Sequence, residues 1–196
     1  MINDELVGKV KTALKETSSR IPLYKLLALI EVECGGKGFD PKTNKIVIQF
    51  EPHRYSILTG IPRSESNPYS WDENRIEVQS KEWLAFNDAF KYNPSAAMEA
   101  TSIGLPQILG QHWKRLGYAS VGAMWDDFKG SEVNQIKALI KFIETDNTLK
   151  IALMADDWHI VATRYNGSKY RELAKKLGRE PYDITLAKAS TKYKQK

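Results

Sequence analysis

Apolar residues recur at helical spacing along most of this chain, and that repeat restricts it to a helix-rich packing with at most a small sheet. Leu23, Leu26, Leu27 and Ile30 form one stripe, opening just inside Pro22, a residue suited to a helix's first turn. Trp83, Leu84, Phe86 and Phe90 form a second. Val133, Ile136, Leu139, Ile140 and Ile143 form a third, entered through Ser131 as N-cap. Further short helices are predicted around 94–101, 120–129, 148–164 and 168–177. The repeat breaks at FDPKTNKIVIQFE, where turn residues precede an alternating run with Ile46, Ile48 and Phe50 on one side and Val47, Gln49 and Glu51 on the other. That run predicts a small hairpin or a lone strand pair. The polar, proline-broken stretch 61–80 reads as a long surface loop able to border a binding cleft. The expected class is mainly α (α+β), a helical domain with a small β-hairpin.

A chain of 196 residues, 42% of them hydrophobic, suits one well-packed domain, so residues 1–196 are expected to form a single domain. The one cysteine, Cys34, excludes an intrachain disulfide framework. No uninterrupted apolar run approaches the ~20 residues that span a bilayer. The N-terminus is amphipathic, with Leu6, Val7, Val10 and Leu14 on one face, rather than a secretion signal. A soluble cytoplasmic product is therefore expected. The 29 Lys and Arg against 24 Asp and Glu give a net charge of +5, which suits an anionic partner without choosing among nucleic acid, membrane and wall polymer. No nucleic-acid reader motif accompanies the charge, so nucleic acid is not expected as the partner.

Two acids stand out by position. Glu33 ends an apolar helical stripe and directly precedes Cys34, Gly35 and Gly36, which mark the helix end. The negative pole of the helix and loss of water would both favour its protonated form, which a general acid needs at neutral pH. The same position also suits a solvated acid, Glu31 or Glu33, near a frayed end. Glu51 closes the β run, where a rigid strand edge would present it to a cleft. Glycoside hydrolysis commonly uses two such carboxyl groups, but a chain with 24 acids offers many pairs. His112 and His159 have no ligand spacing with acids, and neither a metal nor a cofactor is expected. Cys34 with His53 lacks the third group that a thiol nucleophile requires. The tryptophans are expected in the core, with Trp71, in the polar loop, as the one candidate sugar platform.

Four segments taken in order, ALIEVECGGKGF, IQFEPHRYSILTG, AAMEATSIGLPQILGQHWKRLGYAS and ADDWHIVATRYNGSKYRELAKKL, resemble the N-acetylmuramidase family of bacteriophage endolysins, within the lysozyme-like superfamily. The resemblance covers about residues 20–180. It implies a lysozyme-like fold and cleavage of the β-1,4 bond between N-acetylmuramic acid and N-acetylglucosamine in peptidoglycan. It carries the essential acid onto Glu33 and the second carboxylate onto Glu51. It also makes Gln107, Tyr165 and Asn166 cleft residues and gives His53 the role of orienting Glu51 or the substrate. It further implies synthesis in the host cytoplasm, action at the wall in the periplasm, a holin for the inner membrane, a monomer and no separate wall-binding domain. The pattern departs at Cys34, where serine is usual, at Pro52, where arginine is common, and at Ile103 and Pro106, where aromatics are usual. These departures bear on sugar contacts and substrate preference rather than on reaction class. A lytic transglycosylase shares the Gly-Leu-x-Gln-Ile and Tyr-Asn pattern, and a non-catalytic wall-binding module is the rival from another class. Leu173, Leu177, Leu186 and Ala187, among lysines, suggest an amphipathic C-terminal helix drawn to the anionic outer membrane.

Overall fold

The computed structural model describes residues 2–61 and 78–194, so Trp71 and most of the expected 61–80 loop lie outside the described residues. In chain order the helices are α1 (Asp4–Thr17), α2 (Leu23–Cys34), α3 (Pro52–Thr59), α4 (Gln79–Tyr92), α5 (Pro94–Glu99), α6 (Val121–Gly130), α7 (Glu132–Glu144), α8 (Asn147–Met154), α9 (Trp158–Asn166), α10 (Tyr170–Lys176) and α11 (Tyr182–Lys194). The strands are β1 (Ile48–Phe50), β2 (Thr101–Ile103) and β3 (Ile108–Leu109), followed by a 3-10 turn at Gly110–His112. The described chain divides into two compact units, residues 2–36 with 136–194, and residues 37–135. No helix among the described residues is long and apolar enough to cross a membrane.

In the first unit α2 is central. Every residue from Lys25 to Ile30 is buried, so the helix is covered all round rather than along the single stripe its leucines predict. The cover comes from Leu6, Val10 and Ala13 of α1 and from Leu186, Ala189 and Tyr193 of α11, both of which pack on α2. Each fully buried leucine or isoleucine contributes about 1.5–3 kcal/mol. Pro22 stands one position earlier than expected, at the cap in an extended conformation (φ −61°, ψ 135°), because its carbonyl accepts the helix's first bonds. The helix stops where Gly35 turns left-handed (φ 63°) and its N–H donates to the Glu31 carbonyl at 3.0 Å. The stripe on α7 is buried as expected at Ile136, Leu139, Ile140 and Ile143. Ser131 caps this helix, accepting from the Asn134 N–H at 3.1 Å.

Two expectations here are corrected. The helix predicted over 148–164 is two helices, because Asp156 turns left-handed (φ 59°) and Asp157 caps α9 by accepting from the Ile160 N–H at 3.1 Å. The C-terminal apolar residues do not share one exposed face. Leu173 and Leu177 are about half exposed on and just after the short α10, whereas Leu186 is fully buried on α11 as part of the core. Removal of α11 would therefore uncover α2 rather than detach a free arm.

In the second unit the three strands form an antiparallel sheet in the order β1-β2-β3, with Ile48 opposite Ile103 and Ser102 opposite Leu109. The expected hairpin within 39–51 reduces to a single bridge, Phe39 to Ile46, and the real partner of β1 is Thr101–Ile103, far downstream. The alternation is observed, since Ile46, Ile48 and Phe50 are all buried. On the other side of β1, side chains of α4 substitute for a strand. The Gln79 amide accepts from the Ile48 N–H at 2.9 Å and donates to the Ile48 carbonyl at 2.8 Å, and Glu82 accepts from the Phe50 N–H at 2.8 Å. This covers an edge that would otherwise expose unpaired backbone groups. It also sets the orientation of α4: Glu82 is buried with Phe86 and Ala89, while Leu84 and Phe90 of the expected stripe are 51% and 39% exposed.

Candidate active site

Glu33 occupies the penultimate position of α2, where the helix has already run past its buried centre, and it is half-buried. The hydroxyl of Tyr182, the first residue of α11, donates to its Oε1. The Tyr182 ring lies nearly parallel to that of Tyr165 on α9 (centroids 6.3 Å apart, 19° between planes), and Phe142 of α7 meets Tyr165 edge-on at 5.4 Å. Loss of water in this surround pushes the Glu33 carboxyl up to about 7, while the Tyr182 hydrogen bond works in the opposite direction. Burial, reinforced by the nearby Glu33 charge, keeps the Tyr165 and Tyr182 phenols protonated well above their ordinary range, so both remain O–H donors.

Two residues back on the same helix, Glu31 has the opposite character. Burial pushes it up as well, but Lys192, with Nζ at 2.5 Å, and Tyr193 outweigh that and hold its carboxyl below the usual value. One turn of α2 thus carries one carboxyl suited to hold a proton and one held ionised, the separation that acid–base chemistry exploits. Cys34 turns its thiol to the Ile30 carbonyl of its own helix at 3.5 Å. Asn166 is the exposed last residue of α9.

The second unit holds Glu51 and His53, which it brings together with residues that the sequence did not single out, and Gln107 in a separate turn. Glu51 is not on the strand edge. It is the cap of α3, extended (φ −110°, ψ 91°), with its N–H donating to the Ala100 carbonyl at 2.8 Å, because Pro52 starts a helix immediately after it. The amide end of α3 favours negative charge there. Ser102 on β2 donates to Glu51 Oε1 at 3.2 Å, and His53 Nε2 and Arg54 Nε stand 3.8 and 3.6 Å from Oε2. His112 is pushed down to about 4 by burial and then by Arg115 and Arg54, so its ring is neutral at physiological pH.

Gln107 sits in the β2–β3 turn with a left-handed backbone (φ 47°), its amide donating to the Gly104 carbonyl at 2.8 Å. The fully buried Gln135 holds that turn, accepting from the Leu105 N–H and donating to the Phe128 carbonyl, both at 2.8 Å. A side chain at Gly104 (φ 69°) would place its Cβ 2.7 Å from the Gln135 oxygen, so the turn needs glycine twice over. Among the described residues no group of three His, Cys, Asp or Glu side chains could hold a metal ion.

Tyr182, Arg54, Ser102 and Gln135 are the residues that reading the sequence missed. Arg54, beside His53, and Ser102, just before Ile103, lay inside the segments that carry the family resemblance.

The N-acetylmuramidase family model matches residues 22–194. A crystal structure of a Burkholderia AP3 phage endolysin superposes with a TM-score of 0.74 at 30% identity, covering 96% of this chain and 70% of that one. No curated protein matches the chain. A family match that takes in α2 with Glu33, the start of α3 with Glu51, the Gln107 turn and the whole of α11, on a lysozyme-like fold shared with a phage endolysin, shows that this chain belongs to the N-acetylmuramidase family.

Proposed function

We propose that this peptidoglycan hydrolase cuts the β-1,4 glycosidic bond between N-acetylmuramic acid and N-acetylglucosamine, with Glu33 as the general acid. The observation that carries the reading is a half-buried carboxyl at the end of α2, lifted to about 7 by loss of water and bonded to a neutral phenol. Near neutral pH a large share of Glu33 carries its proton. As the C–O bond breaks, its electron pair stays on the departing sugar oxygen, which takes the Glu33 proton while charge builds at the anomeric carbon. Water adds to that carbon and gives up a proton to a carboxylate. Glu51 is assigned as the second carboxyl group, receiving that proton or steadying the charge, with Ser102, His53 and Arg54 holding it. Gln107, Tyr165 and Asn166 are assigned to sugar contact.

Residues 1–196 act in this reading as one catalytic domain of a monomer that reaches the periplasm through a holin. The outer-membrane contact is reduced to Leu173, Leu177 and their neighbouring lysines, since Leu186 is core.

Product analysis on purified sacculi tests the reaction. Reducing N-acetylmuramic acid ends are expected; anhydromuramic ends would make it a transglycosylase, and binding without new ends would make it a wall-binding module. Glu51→Gln is expected to lower the release rate by roughly a hundredfold. An unchanged rate would return Glu51 to a structural role.

A further inference from the structure

We propose that Tyr182 is a positioning residue for proton transfer: its hydroxyl fixes Oε1 of Glu33 as an accepting oxygen, so that the transferable proton resides on Oε2. The proposal rests on the reading of Glu33 as the acid. A carboxylic acid has two oxygens and one proton, and an acid free to place that proton on either oxygen spends part of its time unable to donate toward the substrate. A hydroxyl donor facing Oε1 removes that ambiguity, because an Oε1 that already accepts from the phenol is a poor seat for the proton. The same bond strengthens once the proton has left and the carboxylate is charged, since hydrogen bonds to ionised acceptors are the stronger ones. Tyr182 thus assists departure of the proton as well as aiming it.

The fold holds this phenol from several sides. Its ring is stacked on Tyr165, which is backed by Phe142. The next residue, the buried Asp183, is paired with Arg171, whose Nε donates to the Tyr170 hydroxyl at 3.1 Å; that hydroxyl lies 2.8 Å from Nδ1 of His159. These contacts tie the start of α11 to α9 and α10. Near the other end of α11, Lys192 is paired with Glu31 on α2. Both ends of the helix that presents the hydroxyl are therefore anchored, which keeps the phenol in place against Glu33. The titratable groups that act on or feel Glu33 are Tyr182 from α11 and Tyr165 from α9, the latter also beside Cys34; α7 contributes Phe142 behind Tyr165, and α1 brings Ile2 and Leu6 against Gly36. No positive group among those named donates to Glu33, so the phenol is the contact whose removal moves its titration.

The test is Tyr182→Phe, which keeps the stacked ring and deletes the donor. The alkaline limb of the pH–rate profile on sacculi is expected to move up by roughly one unit, with kcat lowered about tenfold and KM unchanged. Carbon-13 NMR of the Glu33 carboxyl should show the same upward shift without substrate. Site-specific difluorotyrosine at position 182, a stronger donor on the same ring, should move both readouts down. An unmoved limb with unchanged kcat, or a carboxyl titration indifferent to both replacements, overturns the proposal and leaves Tyr182 as packing alone. Glu33→Gln, measured alongside, separates the two ideas. Full activity in that variant sinks the acid assignment itself, whereas an inactive Glu33→Gln with an unshifted Tyr182→Phe sinks only the positioning role.

Discussion

Glu33→Gln is expected to leave the fold intact and to slow release of reducing ends from sacculi by roughly a hundredfold to ten-thousandfold, the range that general acid catalysis supplies. Gln preserves shape and still accepts from Tyr182, so the only thing removed is the proton. The pH dependence should change with it. In the native enzyme the acid form disappears as pH rises through about 7, and activity should fall there.

Stability follows the same titration. The Glu33 carboxyl rises from an ordinary 4.5 to about 7 on folding, so between those values the native state holds a proton that the unfolded chain releases. Stability is therefore fully present below about 4.5 and lost as pH rises through about 7, and the loss amounts to about 3 kcal/mol. Gln does not titrate. At pH 8 the variant should consequently melt higher than the native chain while doing no chemistry, the exchange of stability for function expected of a catalytic group held where its charge is unwelcome. Urea midpoints for both proteins at pH 4.5 and pH 8 measure this directly. A variant with native turnover, or one no more stable at the higher pH, would contradict the account.

The Glu33 end of α2 was legible because its determinants are local. An apolar stripe, an acid and a glycine that turns left-handed all fall within a dozen residues, and each acts through its nearest neighbours in sequence. The buried alternation of Ile46, Ile48 and Phe50 was legible for the same reason. The partner of that strand was not. β2 and β3 have three and two residues, too few to display a period of two, and their pairing with β1 is decided at a distance. Polar side chains misled in a related way. Gln79 fell at the end of the stretch read as a surface loop and Glu82 was not singled out, yet both lie on α4 and occupy the hydrogen-bonding edge of β1, and that task turns Leu84 and Phe90 outward. Glu51 was one residue out of place because a proline that starts a helix and a proline that ends a strand look alike in sequence. Tyr182 lies 149 residues from the carboxyl it contacts, and nothing within its own segment distinguishes it from any tyrosine at the head of a helix.

Lys25→Met should produce a large loss of stability, because it removes an ammonium buried in the first turn of α2. The side chain is 2% exposed, and its Nζ donates to the carbonyls of Leu153 and Met154 at 2.6 and 2.9 Å and pairs with Asp156 at 2.7 Å. The two carbonyls lie in the C-terminal turn of α8, where a cation is favoured by the dipole; the Leu153 carbonyl also accepts from the Asp156 N–H at 3.3 Å. Methionine fills a similar volume, so the packing of α2 survives and the cost isolates the lost bonds. Two charge-assisted hydrogen bonds, at about 1.5 kcal/mol each, set the expected loss at about 3 kcal/mol, or a melting temperature lower by roughly 6–12 °C. Asp156, whose side chain is 45% exposed, can turn to water instead, so Asp156→Ala should cost less than about 1 kcal/mol. The comparison decides what the lysine is for. If the two variants fall by similar amounts, the ion pair dominates; if Lys25→Met falls several times further, the ammonium is chiefly the cap of α8. The second outcome is expected, because the exposed carboxylate keeps its hydration with or without the lysine, whereas the charge-assisted bonds to the two carbonyls are lost outright.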